Sequence, residues 1–170
     1  MTDSTNYLAG LVLRNERATK RLAGGLADLA MAGDVICLHG DLGAGKTNFA
    51  RAFIRSLTSE REVVPSPTFT LVQTYEMKRN INTVDIYHID LYRIRDPEEL
   101  IELGLQEAFQ LGISLVEWPE CAEDILPSDR LKIYFDFDDR LDRRSVRVYG
   151  ADKWKPAIDG LKGSTAKWQN

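Results

Sequence analysis

One octapeptide constrains this chain more than anything else in it: Gly40-Asp41-Leu42-Gly43-Ala44-Gly45-Lys46-Thr47. It satisfies the spacing G-x-x-x-x-G-K-[ST], and that spacing has a mechanical reason. Glycines let a loop wrap so closely that its backbone N–H groups point inward at phosphate oxygens. A helix starting at Thr47 adds its partial positive charge to the same spot. Lys46 supplies a mobile cation for β- and γ-phosphates, and the Thr47 hydroxyl is a magnesium ligand. The loop needs a buried strand before it and a helix after it. Val35-Ile36-Cys37-Leu38 is a continuous apolar run, as a strand buried on both faces of a parallel sheet requires. Phe49, Phe53, Ile54 and Leu57 fall on one side of a helix predicted from Thr47 to Leu57. At average glycine usage the pattern arises by chance in well under ~1% of chains this size.

The remaining composition narrows the field. The 170 residues suffice for one domain with a real core, expected over residues 1–150, before a polar tail over 151–170. Net charge is −4 and no run of Lys or Arg exceeds a pair, so attraction to a phosphate backbone is not the main design. Cys37 reads as a core residue, and the only other cysteine is Cys121, too little for a disulfide framework or metal site. Met1 to Asn6 lack the basic and apolar regions of a secretory signal, and no apolar stretch approaches the ~20 residues of a membrane span. The expected setting is cytoplasmic.

Around the loop the chain alternates strands and helices. Tyr7 to Leu13 reads as a strand; Asn15 is a helix N-cap ahead of Ala18, Leu22, Leu26 and Leu29, with Gly33 as the C′ glycine. Pro67 holds Ser66 out of helical geometry in a threonine-rich loop. Leu71 to Tyr75 and Val84 to Asp90 form an antiparallel hairpin, and Asp96-Pro97-Glu98-Glu99 starts a helix. Ile113 to Val116 is a second buried strand, ending on Glu117. Leu131 to Phe137 and Ser145 to Tyr149 close the domain as a hairpin around the charged turn Asp138 to Asp142. The expected fold is α/β: a P-loop NTPase of three layers, α/β/α, with a mostly parallel central sheet and antiparallel hairpins.

A P-loop needs a carboxylate across from it to hold magnesium directly or through water. Glu117 closes a continuous apolar strand and is the favoured metal-side acid. Asp90 closes a more alternating strand, read as an edge or hairpin strand, and is assigned to positioning water or supporting the metal ligands. With Lys46, these two carboxylates form the predicted catalytic set. His39 and His88 read as structural, since no triad or metal-ligand spacing surrounds them. Trp118 is either a stacking surface for a base or partner, or a buried tryptophan. Arg143 and Arg144 read as surface charge, with reach to a nucleotide as the alternative.

The octapeptide, Ser66-Pro-Thr-Phe-Thr-Leu-Val72, His88-Ile-Asp-Leu-Tyr-Arg93 and Val116-Glu-Trp-Pro119 occur in this order, and together they resemble the TsaE family, bacterial ATPases of tRNA threonylcarbamoyladenosine synthesis. The match spans roughly Asn15 to Tyr149. The resemblance implies ATP held along Asp41, Leu42, Gly43, Ala44, Gly45, Lys46, Thr47 and Asn48, and Mg2+ held by Thr47 and Glu117. It implies ATPase roles for Asp90 and Trp118, a base-side segment Asn15 to Thr19 that includes Glu16, and a basic nucleotide contact at Arg144. The loop Ser66 to Leu71 matches a segment expected to respond to the γ-phosphate. Asn48 departs from the usual second threonine.

Such proteins act on a partner complex of the threonylcarbamoyltransferase subunit and its inactive paralogue, without performing the transfer; tRNA is reached only through that complex. Two other readings use the same loop. A small-molecule kinase would carry an arginine-rich lid, and Arg93, Arg95, Arg143 and Arg144 are too scattered to form one. A GTP switch would carry an Asn/Thr-Lys-x-Asp segment, which the chain lacks.

Overall fold

The computed structural model describes residues 6–140 and 142–165. The readings of residues 1–5, of Leu141 in the charged turn and of 166–170 lie outside that range. Seven strands form one sheet: β1 (Asn6–Leu13), β2 (Val35–Gly40), β3 (Val72–Arg79), β4 (Asn82–Asp90), β5 (Ile113–Glu117), β6 (Leu131–Phe137) and β7 (Arg144–Gly150). Their order is β1-β7-β6-β2-β5-β4-β3. β2 runs parallel to β5 and β6, and β4 runs parallel to β5, so the four central strands are parallel. Antiparallel pairing with β3 on one side and β7 and β1 on the other completes the sheet.

Three helices cover one face: α1 (Glu16–Leu29), α2 (Lys46–Leu57) and α5 (Lys155–Thr165). Asn15 caps α1, its side-chain oxygen accepting the Ala18 N–H at 2.9 Å. Leu22 and Leu26 of α1 and Phe49 and Phe53 of α2 bury fully against Ile36, Leu38 and Leu115 of the sheet. Each such side chain contributes about 1.5–3 kcal/mol of burial. The opposite face is covered by α3 (Pro97–Glu102), α4 (Leu105–Leu111) and the 3₁₀ turn Pro119–Ala122. There Leu100, Leu105 and Phe109 pack on Val35, Cys37, Ile89 and Val116. Asp96 starts α3 with a reciprocal capping box to Glu99. Desolvation pushes the Cys37 thiol up to about 12, consistent with a core residue. No described helix is long and apolar enough to cross a membrane.

Three expectations are corrected. The stretch from Ala151 is not a polar tail: it enters a 3₁₀ turn, Asp152–Trp154, and then α5. Trp154 and Ile158 are almost wholly buried in the core beside α1. A Cβ on Gly25 would lie 3.4 Å from that of Ala157, so α1 and α5 approach closely there. Second, of the two readings of β4 the hairpin holds, since it pairs antiparallel with β3, and the edge does not, since β3 takes that place; His88, Ile89 and Asp90 are buried in the sheet. Third, α1 ends at an extended Ala30, and Gly33 instead supplies a left-handed residue (φ 94°) in the turn into β2. Its N–H donates to the Gly112 carbonyl at 2.8 Å.

Candidate functional site

The site forms where the parallel strands end. Gly40 closes β2 with φ 141°, and a Cβ there would collide with the Phe135 carbonyl on β6. Gly45 precedes α2 with φ 112°, a conformation that L side chains rarely adopt. The loop between them turns back over the start of α2, as the glycine spacing requires.

Lys46 lies beneath that loop with only 4% of its surface exposed. Its ammonium donates to the Gly40 carbonyl (2.5 Å) and the Asp41 carbonyl (2.9 Å) and sits 3.9 Å from the centre of the Trp118 ring. Burial pushes the Lys46 ammonium below its ordinary range, against the pull of Glu117 and Asp90. Trp118 reaches this place through a left-handed backbone (φ 55°), rare for a bulky residue, and its ring is half-buried against Tyr92. It is neither a core tryptophan nor a free surface one.

β4 and β5 pair in parallel with Asp90 opposite Glu117, so the two predicted acids stand side by side. The Thr47 hydroxyl donates to Glu117 Oε2 at 2.9 Å. Glu117 Oε1 is 2.8 Å from His88 Nε2, and the imidazole is fully buried. Asp90 accepts from the Thr68 hydroxyl (3.1 Å) and from the Tyr92 N–H (2.9 Å). Thr68 in turn is 2.7 Å from the Ser66 hydroxyl. The threonine-rich loop is therefore tied directly to one acid while the phosphate loop is tied to the other. The loop rejoins the sheet at Leu71, which holds a left-handed φ of 65°.

Two cavities meet across Gly43, Gly45 and Asn48. One, of about 250 Å³, carries Lys46, Thr47, Asp90, Glu117 and Trp118. The other, of about 240 Å³, lies toward Glu16 and Arg144. Arg144 is not plain surface charge: its guanidinium donates to the Ala44 carbonyl at 3.0 Å and the Gly43 carbonyl at 3.4 Å, bracing the loop from outside. Ala44 is buried, Asp41 and Leu42 are exposed at the rim, and the Asn48 amide oxygen accepts from Arg51 at 3.1 Å. Arg143 is half-buried.

His39 keeps its structural reading. It stacks on Tyr134 at 4.3 Å, and its Nδ1 is 3.0 Å from Glu120 Oε1. His88, also read as structural, is hydrogen-bonded to Glu117, the acid predicted to face the metal. Thr68 and Tyr92 likewise join the site without having been singled out. A strand places residues i and i+2 on one face, so His88 beside Asp90 was the available signal.

The donors suit a small hard cation: the Thr47 hydroxyl and the Glu117 carboxylate converge at a helix N-terminus, with the Asp90 carboxylate alongside. Among the described residues no group of three or more His, Cys, Asp or Glu forms an all-protein metal cage. Magnesium is usually bound by one or two protein ligands plus phosphate oxygens and waters, so this sparse set fits it.

Comparison with known proteins agrees with this geometry. The model of the family described as "Threonylcarbamoyl adenosine biosynthesis protein TsaE" matches residues 13–146. The tRNA threonylcarbamoyladenosine biosynthesis protein TsaE of Rickettsia felis is 41% identical over 91% of this chain and 87% of its own length. The Bacillus subtilis protein of the same name is 44% identical over 70% of this chain and 72% of its own. The crystal structure of Bacillus subtilis YdiB superposes with a TM-score of 0.71 at 31% identity, covering 95% of this chain and 97% of that one. The chain belongs to the TsaE family.

Proposed function

We propose that this protein is a magnesium-dependent ATP hydrolase serving tRNA threonylcarbamoyladenosine biosynthesis in the cytoplasm. In this reading it acts on the threonylcarbamoyltransferase subunit and its inactive paralogue and does not transfer the group itself. The observation that carries the reading is the convergence of Lys46, Thr47 and Glu117 at one helix N-terminus. The names of the relatives support the pathway.

The residues divide the work by chemistry. The loop N–H groups from Gly43 to Thr47 and the Lys46 ammonium bind the β- and γ-phosphates. Thr47 and Glu117 would hold Mg2+, which would neutralise charge developing on the phosphate when bound. His88 keeps the Glu117 carboxylate turned toward Thr47. Asp90 orients water near the γ-phosphate and, through Thr68, connects that position to the threonine-rich loop. Glu16 and Arg144 flank the cavity assigned to sugar and base.

Incubation with ATP, Mg2+ and a panel of nucleosides and nucleotides tests the chemistry. Free phosphate as the sole product supports hydrolysis; a phosphorylated acceptor would make the protein a kinase.

A further inference from the structure

Another concavity lies away from the phosphate loop, between α3, α4 and the turn Pro119–Ala122, with a volume of about 760 Å³. Its apolar lining includes Leu100, Leu105, Cys121 and Ile125, and Ile101 stands 80% exposed beside them. Every charged residue of the lining is acidic: Glu98, Glu107 and Asp124. All three are exposed, and none forms an ion pair with another described residue.

We infer that this groove docks a basic, amphipathic helix of the partner protein complex, apolar side inward and lysines or arginines against Glu98, Glu107 and Asp124. The inference rests on the proposed function for the identity of the complex, and on the groove alone for the chemistry of its occupant. An apolar floor with a rim of one sign suits a helix laid in a groove, where apolar anchors supply affinity and the rim selects partner and orientation. An acidic or neutral helix would leave the three carboxylates facing like charge or nothing.

The position of the groove gives docking a consequence. One wall, α3, follows the loop that leaves Asp90, and the other is the turn entered directly from Glu117 and Trp118. Leu91, Ile94, Leu100, Leu105 and Ala122 share a core with Ile89 and Val116 on the two acid-bearing strands. Glu120, in the same turn, holds His39 just ahead of the phosphate loop. An occupant that shifts the turn moves Trp118 over Lys46, which connects docking to nucleotide turnover.

The test has two arms, both using the whole protein. In the first, an amphipathic Leu/Lys peptide and its Leu/Glu counterpart are titrated by fluorescence anisotropy, with amide NMR shifts locating the contact. The Leu/Lys peptide alone should bind and should shift resonances of Ile101, Leu105 and Ile125. The triple variant Glu98→Lys, Glu107→Lys, Asp124→Lys should reverse the preference, and Ile101→Ser should weaken binding at least about tenfold. In the second arm, affinity for the transferase heterodimer should fall at least about tenfold in the triple variant while intrinsic hydrolysis is kept. Absence of Leu/Lys binding, shifts elsewhere, or unchanged preference in the triple variant overturns the inference. So does concentration-dependent dimerisation abolished by Ile101→Ser, which would give the groove to a second copy. Equal heterodimer affinity of both forms also overturns it. A heterodimer that never binds the unaltered protein removes the partner assignment and with it this occupant, whereas the peptide arm still reports the groove's chemistry separately.

Discussion

His88 Nε2 and Glu117 Oε1 lie 2.8 Å apart across two parallel strands, a hydrogen bond shielded from solvent on both sides. It occupies one carboxylate oxygen and leaves the other for Thr47. Partners that orient a metal ligand in this way are typically worth about 10- to 100-fold in metal affinity or activity. His88→Ala should weaken Mn2+ binding, read by electron paramagnetic resonance in the presence of ATP, within that range. His88→Gln, which can still donate, should recover part of the loss. Unchanged Mn2+ affinity in His88→Ala would remove the positioning role.

Glu117→Ala separates binding from turnover. Loss of this carboxylate should lower Mg2+-dependent hydrolysis by roughly 100-fold, the scale of one missing group acting on developing charge. ATP affinity should change far less, because the loop N–H groups and Lys46 remain. Phosphate release and fluorescent-nucleotide titration measure the two quantities; equal losses in both would count against the assignment.

Glu120 supplies a pH dependence. Burial pushes its carboxyl up, but the His39 hydrogen bond and its own backbone bond outweigh this and leave it below the ordinary 4.5. A folded value below the unfolded one means the unfolded chain binds more protons, so stability rises with pH through that window. The increment is complete above about 4.5 and disappears as pH falls through the folded value. Urea midpoints of Glu120→Gln should fall below those of the unaltered protein at neutral pH and converge with them in acid. Parallel curves would refute the assignment. The carboxylate is mostly solvent-facing, so the difference should be small.

Trp154 tests whether the last helix belongs to the core. Trp154→Ala should lower stability by about 3–5 kcal/mol, as for a large buried aromatic. Denaturant unfolding checks this, and a loss below about 1 kcal/mol would return the segment to the status of an appendage.

How far these elements could be read beforehand depended on whether their signal was local. The phosphate loop, β2, α2 and β5 were legible because glycine spacing, apolar runs and helical periodicity are properties of adjacent residues. Asp96-Pro97-Glu98-Glu99 likewise announced α3, since a proline at the first helical position and acids in the first turn are signals within four residues. α5 was missed although Trp154, Ala157, Ile158 and Leu161 recur at helical spacing, because Pro156, Gly160 and Gly163 depress helix propensity. His88 was undervalued for another reason. Its contact with Glu117 depends on the register between β4 and β5, strands separated by two helices, which no local pattern reports. Arg144 reaches the Ala44 carbonyl only because β7 pairs with β6, and β6 with β2.

The central claim is that nucleotide turnover on the Lys46 loop serves a protein partner. The most direct measurement is steady-state ATP hydrolysis by the purified protein, alone and with the threonylcarbamoyltransferase heterodimer, beside Lys46→Ala. Slow turnover alone is expected, changed at least severalfold by the heterodimer. Lys46→Ala should abolish it by weakening ATP binding about 100-fold, the scale of removing one buried charged partner. Hydrolysis by the unaltered protein that is indifferent to the heterodimer, or hydrolysis that survives in Lys46→Ala, would contradict the claim.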